Sequence, residues 1–418
     1  MSGEPPVLLD VSRLVSRLGR GTLTGIDRVE AEWLAHLTSR DHLLLCRVTA
    51  GQLLLPPEAG RLILDWLAGA ERGLAPRAHW RDRLRGRGGV PARAEAALRR
   101  IAIAKAGRGG RGLGAAARAH FSGKPGAGQG VYFNLGHSNL TPALLRSMAP
   151  LLRAVMIHDT IPLDHPELSS PGQPEKFRHR LMAALQLADQ IFTVSEAAKS
   201  SVETWRARLA IAPRAPIAAV RIGTRLAAPD PAALPAGLDL SGPYFVTIGT
   251  IEPRKNHALL LDVWQRLAQE MPAPELPRLY IVGARGWAPD ALLRRLDLLP
   301  KDGPVVELSG LGDGAVAALL EGARALLMPS RTEGFGLPLT EAAARGVPVL
   351  TAPFAAAREL LGDYAVYLSP DDIAAWADSI EKASRNSDKS SKSLAPDDWD
   401  RHFSTVSDVL ARRLLDFG

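Results

Sequence analysis

Short apolar runs alternate along this chain with stretches whose apolar positions recur every third or fourth residue. The runs Val7–Asp10, Leu43–Cys46, Val131–Phe133, Ala154–Ile157 and Gln190–Val194 predict strands in the first half. Helices are predicted at Ile26–Leu37, Lys176–Leu187 and Glu196–Ala207, the last N-capped by Ser195. The second half repeats the scheme with strands at Tyr244–Ile248, Leu279–Val282, Val305–Leu308, Ala325–Met328, Val347–Leu350 and Ala365–Tyr367. Between the first two of these, Ala258–Gln269 places Leu259, Leu260, Val263, Trp264 and Leu267 on one helical stripe, with Asn256 as the expected cap. Strands that are apolar throughout, separated by helices, imply parallel sheets buried on both faces. The Pro/Ala-rich link Ala227–Gly237 separates the halves, so the expected class is α/β with two facing Rossmann-like domains. We place the first at 1–226, the linker at 227–240, the second at 241–390 and a helical segment at 391–418. The last, around Trp399–Leu415, is expected to pack back on the first domain.

Length agrees, since 418 residues at roughly 100–200 per domain suggest two or three domains. A hydrophobic share of 46% supports sizeable cores, yet no run approaches the ~18 apolar residues of a membrane span. The N-terminal MSGEPPVLLDVS lacks the basic-then-apolar pattern of a signal peptide, and Cys46 stands alone, so no disulfide framework is expected. The expected location is cytoplasmic, peripheral on the inner face of the membrane. Of the net charge of +7, residues 71–130 hold +11, leaving −4 for the remainder. That Gly/Ala/Arg-rich segment reads as an insertion, partly helical around Ala92–Lys105 and otherwise mobile. It is either a solvated loop or a contact for anionic lipid headgroups, where each basic residue near the surface contributes about 1 kcal/mol. Nucleic acid is disfavoured because only Trp80 and Phe121 supply aromatic faces there.

The chemistry concentrates at Glu333-Gly334-Phe335-Gly336-Leu337-Pro338, followed by Glu341. One carboxylate sits on a glycine-rich turn after a buried strand, the other one turn into the next helix. Glycines permit close backbone approach, and the helix start offers unpaired N–H groups. Two acceptors beside such donors suit a polyhydroxylated ligand, a sugar or a ribose. Residues 333–352 (EGFGLPLTEAAARGVPVLTA) closely resemble the signature of the family-4 retaining glycosyltransferases, nucleotide-sugar enzymes of the GT-B fold.

Other segments extend the resemblance. Gly249 to Asn256 (GTIEPRKN) resembles that family's phosphate-binding loop, whose lysine matches Lys255. The family's arginine after the strand's glycine is Thr250 here, so Arg254 is the expected substitute. The loops at Gly283 and at Gly310-Leu311 resemble those that approach the nucleotide. His158-Asp159 resembles the His-Asp segment of a branch that includes mannosyl- and rhamnosyltransferases of surface polysaccharides. His158 is thereby expected at the donor sugar, with His137 and His165 holding weaker claims. Thr24-Gly25-Ile26-Asp27-Arg28 resembles the N-terminal glycine loop, which assigns Gly25 to the donor diphosphate.

The resemblance implies transfer of a sugar from a nucleoside diphosphate to an acceptor hydroxyl with retention, mannose or a deoxysugar being favoured. Arg254, Lys255 and Gly25 would meet the diphosphate. Glu333 and His158 would orient the sugar, beside Gly334, Phe335, Gly336 and Leu337, and Glu341 would hold the ribose. The acceptor would be a glycan or a polyprenyl-diphosphate-linked oligosaccharide. No cofactor and no metal are expected; Asp398-Trp399-Asp400 does not follow a strand and reads as structural. A nucleotide-sugar epimerase, a phosphorylase and a non-catalytic scaffold are the alternatives.

Overall fold

The computed structural model describes residues 4–122, 130–385 and 392–417. The first sheet contains β1 (Val7–Asp10), β2 (His42–Val48), β3 (Gly51–Leu55), β4 (Ala104–Ala106), β5 (Val131–Asn134), β6 (Leu152–Ile157), β7 (Gln190–Thr193) and β8 (Ile217–Ala219), in the order 4-3-2-1-5-6-7-8. Its central strands run parallel, while β3 pairs antiparallel with both β2 and β4. The second sheet is parallel throughout, β11-β10-β9-β12-β13-β14, from β9 (Tyr244–Ile248), β10 (Arg278–Val282), β11 (Val305–Leu308), β12 (Ala325–Met328), β13 (Val349–Thr351) and β14 (Val366–Tyr367). These are the two Rossmann-like bodies of a GT-B fold.

Adjacent residues of β1 show why the strands read as unbroken apolar runs. Leu9 packs with Trp33, Phe133 and Phe192 on one face, and Leu8 with Tyr132, Val155 and Leu181 on the other. The stripe on the helix His257–Glu270 is buried against β9 and β10 as its spacing requires. The helix Trp399–Asp416 lies on the first sheet's layer, where Trp33 Nε1 donates to His402 Nε2 at 3.1 Å and Phe403, Val406 and Leu410 enter the core. Asp398 is that helix's N-cap, accepting from the Asp400 amide. No helix among the described residues is long and apolar enough to cross a membrane.

Three expectations need correction. The segment 71–130 is not a mobile insertion over its described part; residues 123–129, like the 390/391 boundary, lie outside the described residues. It contributes the helices Trp80–Leu84, Gly89–Ile101 and Leu113–Phe121 and the strand β4, which carries Lys105. Small side chains let the helix Gly89–Ile101 sit close, burying Ala94, Ala97 and Leu98, while Arg100 stays exposed. β3 leaves an edge, and β4 covers it. Second, Asn256 occupies the cap position but bonds the Pro370 carbonyl instead of the helix. Third, β13 begins at Val349 and β14 at Val366, later than their apolar runs suggest.

Candidate active site in the interdomain cleft

Each chemistry-bearing segment leaves the carboxyl end of a strand, the side on which open α/β sheets hold ligands. Lys255 ends the short turn Pro253–Lys255 after β9. Gly249, at φ +146°, makes room for it: a Cβ there would stand 3.0 Å from Lys255 Cε. Glu333 follows β12, and the two loops meet. Lys255 Nζ lies 2.6 Å from Glu333 Oε1, and Arg254 Nη1 pairs with Oε2. Arg254 Nε also reaches Glu252, at 3.2 Å.

Burial opposes ionisation of Glu333, but Arg254 and Lys255 outweigh it and hold the carboxyl down at about 2. Burial likewise lowers Lys255, an effect its pairing with Glu333 partly offsets. The three side chains form a desolvated, charge-dense cluster with a net charge of +1. Such a cluster stabilises an arriving dianion far more than a solvated lysine does.

The first domain closes over this cluster at Gly334. A Cβ on that residue would run into the His158 carbonyl oxygen and come within 3.0 Å of Asp159 Cβ. Ser195 Oγ, which caps its own helix through the Ala198 amide, also donates to the Gly334 carbonyl at 2.8 Å. His158 Nε2 donates to the Leu135 carbonyl at 2.7 Å, so Nδ1 is the acceptor nitrogen. Burial lowers its pKa to about 4, which keeps the ring neutral near pH 7. His137 lies behind it, at φ +58°, and accepts the His158 backbone N–H. His165 is on the surface beside Glu167.

Glu341 sits at the second contact between the bodies. Its Oε1 accepts from Arg28 Nη1 at 2.9 Å, and Arg28 Nη2 reaches Asp313 Oδ1 at 2.6 Å. Arg28, Asp313, Glu341 and Arg345 line one cavity there. The Leu337 side chain lies beside Gly25, on the same seam.

The structure thus brings together Arg254, Lys255 and Glu333, with the His158 backbone carbonyl against the adjoining Gly334, while Gly336 opens the next helix, and Gly25 meets Leu337 one turn from Glu341. Gly283 ends β10 pressed against the Gly249 carbonyl. Gly310 and Leu311 form the turn leading to Asp313. Phe335 differs from expectation: its side chain is buried in the core of the first domain, so only its backbone remains at the loop. Sequence reasoning passed over Asp159, whose pKa burial raises while Arg254 opposes the rise, and gave Arg28 no role. Their signal was position, one residue after His158 and three after Gly25. Among the described residues, no group of three His, Cys, Asp or Glu is placed to hold a metal.

Residues 242–386 match the family Glycosyl transferases group 1. The chain is 30% identical over 283 residues to the serotype-specific mannosyltransferase WbdA of Escherichia coli, covering 61% of this chain and 34% of that protein. It is 36% identical over 132 residues to O-antigen chain mannosyltransferase B of Escherichia coli, 31% of this chain and 34% of that one. The chain therefore spans about a third of the length of these relatives. Among solved structures it resembles Anabaena Alr3699/HepE in complex with UDP-glucose, with a TM-score of 0.59 at 14% identity over 99% of this chain and 97% of that one.

Proposed function

We propose that this chain, whose residues 242–386 match the family Glycosyl transferases group 1, transfers a hexose from a nucleoside-diphosphate sugar to a glycan acceptor in polysaccharide synthesis. The observation that carries the reading is the buried Arg254–Lys255–Glu333 cluster, closed over by His158 from the other domain. In the proposed reaction the bond from the anomeric carbon to the diphosphate oxygen breaks, and its electron pair leaves with the diphosphate. Arg254 and Lys255 turn from Glu333 to that developing charge, an interaction whose removal costs on the order of 10²–10³ in rate. Glu333, released, accepts from sugar hydroxyls, and neutral His158 offers Nδ1 to another. The acceptor oxygen then bonds to the anomeric carbon on the departing face, and its proton passes to a leaving phosphate oxygen, retaining configuration. No residue takes a covalent role, and the cations already present serve the leaving group without a metal in the proposed scheme. Glu341 holds the ribose.

Mannose is the proposed sugar, supported by the names of the relatives. A lipid-linked oligosaccharide at the inner face of the cell membrane is the proposed acceptor. Its support is a patch on the helix Trp80–Leu84. Trp80 and Leu84, one turn apart, are 57% and 78% exposed, while Asp82 is tucked inward, pairing with Arg87. Arg77, Arg81, Arg83 and Arg85 flank them in sequence, Arg81 lying over the Trp80 ring, and make no ion pair among the described residues, an arrangement suited to an anionic bilayer interface.

Calorimetric titration with UDP-, GDP-, dTDP- and ADP-sugars, on the wild type and on Glu341→Ala, tests the core of the reading. One sugar nucleotide should bind selectively and weaken in the variant, and the same donor should support transfer with retention in the presence of chelator. Absence of any binding at millimolar concentration would sink the proposal.

A further inference from the structure

The helix Gly25–Leu37 begins with a rigid first turn. Asp27, fully buried, accepts from the Thr24 amide at 2.9 Å and from Thr24 Oγ1 at 2.6 Å, while Arg13 and Arg17 pair with its two oxygens at 2.6 and 3.1 Å. Arg28 follows directly and extends away from this core, across the cleft. Its two terminal nitrogens hold two carboxylates of the opposite domain: Glu341, within the helix Leu337–Ala344, and Asp313, the first residue of the helix Asp313–Gly322.

We propose that Arg28 is a positioning residue for the donor nucleoside: it engages Glu341 Oε1 from the other domain and thereby presents Oε2 to the ribose hydroxyls. The inference rests on the reading of Glu341 as the ribose acceptor and adds a condition to it. The nucleoside site is complete only when the two domains are closed, because one of its determinants belongs to the first domain.

Electrostatics gives the arrangement a purpose. Burial raises the pKa of the Glu341 carboxyl, and the guanidinium of Arg28 opposes that rise. Arg345, just past the end of the same helix, also opposes it, Asp313 reinforces it, and Arg225, just before the interdomain link, lines the same cavity. An ionised carboxylate is a roughly twofold stronger acceptor than a neutral one. The planar fork of arginine satisfies two carboxylates in fixed directions at once, which a lysine ammonium does not reproduce. The Asp313 arm is 60% exposed and contributes little by itself. It steadies the guanidinium for the arm that is buried.

The test uses UDP, GDP, dTDP and ADP on the full chain, with the tightest binder taken forward as probe. Arg28→Ala should raise its Kd roughly tenfold, the loss of about one charge-assisted hydrogen bond, with kcat nearly unchanged at saturating donor. The acid limb of binding should move toward neutral pH in Arg28→Ala, because burial of Glu341 is then unopposed by Arg28. Arg28→Lys should recover part of the affinity and of the pH profile, and Asp313→Asn should lose less than Arg28→Ala. Tighter probe binding by Arg28→Ala would overturn the proposal and make Arg28 a latch over an unfilled site. An unchanged Kd and pH profile would overturn it equally, leaving Arg28 a structural tie. Wild type that binds none of the four nucleotides would instead defeat the glycosyltransferase reading. Binding that Glu341→Gln weakens and Arg28→Ala does not would defeat only the role of Arg28.

Discussion

Lys255 Nζ and Glu333 Oε1 stand 2.6 Å apart with both side chains nine-tenths buried, the Arg254 guanidinium holding the second carboxylate oxygen. A buried pair of this kind contributes less to stability than its geometry suggests, but breaking it from one side is costly. Lys255→Met leaves Arg254 as the remaining counter-charge, so the expected loss is about 1–3 kcal/mol, below that of a fully orphaned carboxylate. Transfer activity should fall by roughly 10²–10³. In urea unfolding, Lys255→Met/Glu333→Gln should lose less than the sum of the two single variants. Additive losses would show that the pair is not energetically coupled.

Gly334→Ala should separate closure from folding. The added methyl meets the His158 carbonyl, which belongs to the other domain, so the cleft must open to admit it. Each domain core is untouched. We expect the melting temperature to change by less than a few degrees while turnover drops at least tenfold. Wild-type turnover in this variant would mean that the contact at Gly334 is not part of the working state.

The buried histidines should make the stability of the fold depend on pH between 6.5 and 4. Burial holds His158, His257 and His402 at about 4, and His137 well below its ordinary value of 6.5. A depressed folded-state pKa contributes stability that is present above the ordinary value and fades as pH falls toward the folded one. Between pH 6.5 and 4 these four rings should therefore take up protons on unfolding, an uptake offset in part by the buried carboxyls of Asp10, Glu30, Asp159 and Glu341, whose raised pKa makes them release protons. Glu333, at about 2 against an ordinary 4.5, adds its loss only below that window. Calorimetric melts at several pH values give the slope, and His158→Gln should reduce it by about one proton. A slope left unchanged by His158→Gln would contradict the burial of that ring.

Trp80→Ser/Leu84→Ser should abolish co-sedimentation with vesicles containing phosphatidylglycerol, and charge reversal at Arg83 and Arg85 should do the same. Turnover on a water-soluble acceptor should stay unchanged, because the helix Trp80–Leu84 touches none of the cleft residues named above. Equal binding of wild type and variants to neutral phosphatidylcholine vesicles would remove the electrostatic argument.

Much of this architecture was legible in the chain. Strands buried on both faces announce themselves as apolar runs, and the stripe on His257–Glu270 could bury only one way. The spacing of Glu333 and Glu341 marked a candidate site because a glycine turn leading into a helix is local geometry. The role of Ser195 as a cap was equally local. Where the first reading failed, the cause was pairing between distant segments. Lys105 lies in a strand because β3 offered an edge, and Ala94 and Ala97 are core because a helix of small residues fits against neighbours that periodicity does not name.

The cross-cleft contacts belong to the tertiary structure alone. Lys255 was expected at a diphosphate, but only folding set it against Glu333, 78 positions away. Arg28 meets Glu341 and Asp313 across some 300 residues, and its place three after Gly25 does not name those partners. Phe335, set in a ligand loop by its neighbours, was claimed instead by the first domain's core. Secondary structure follows from interactions within a few residues, which a sequence displays directly. Ion pairs and close approach between domains depend on where two separately folded sheets come to rest, and that is decided by the surfaces they bury together.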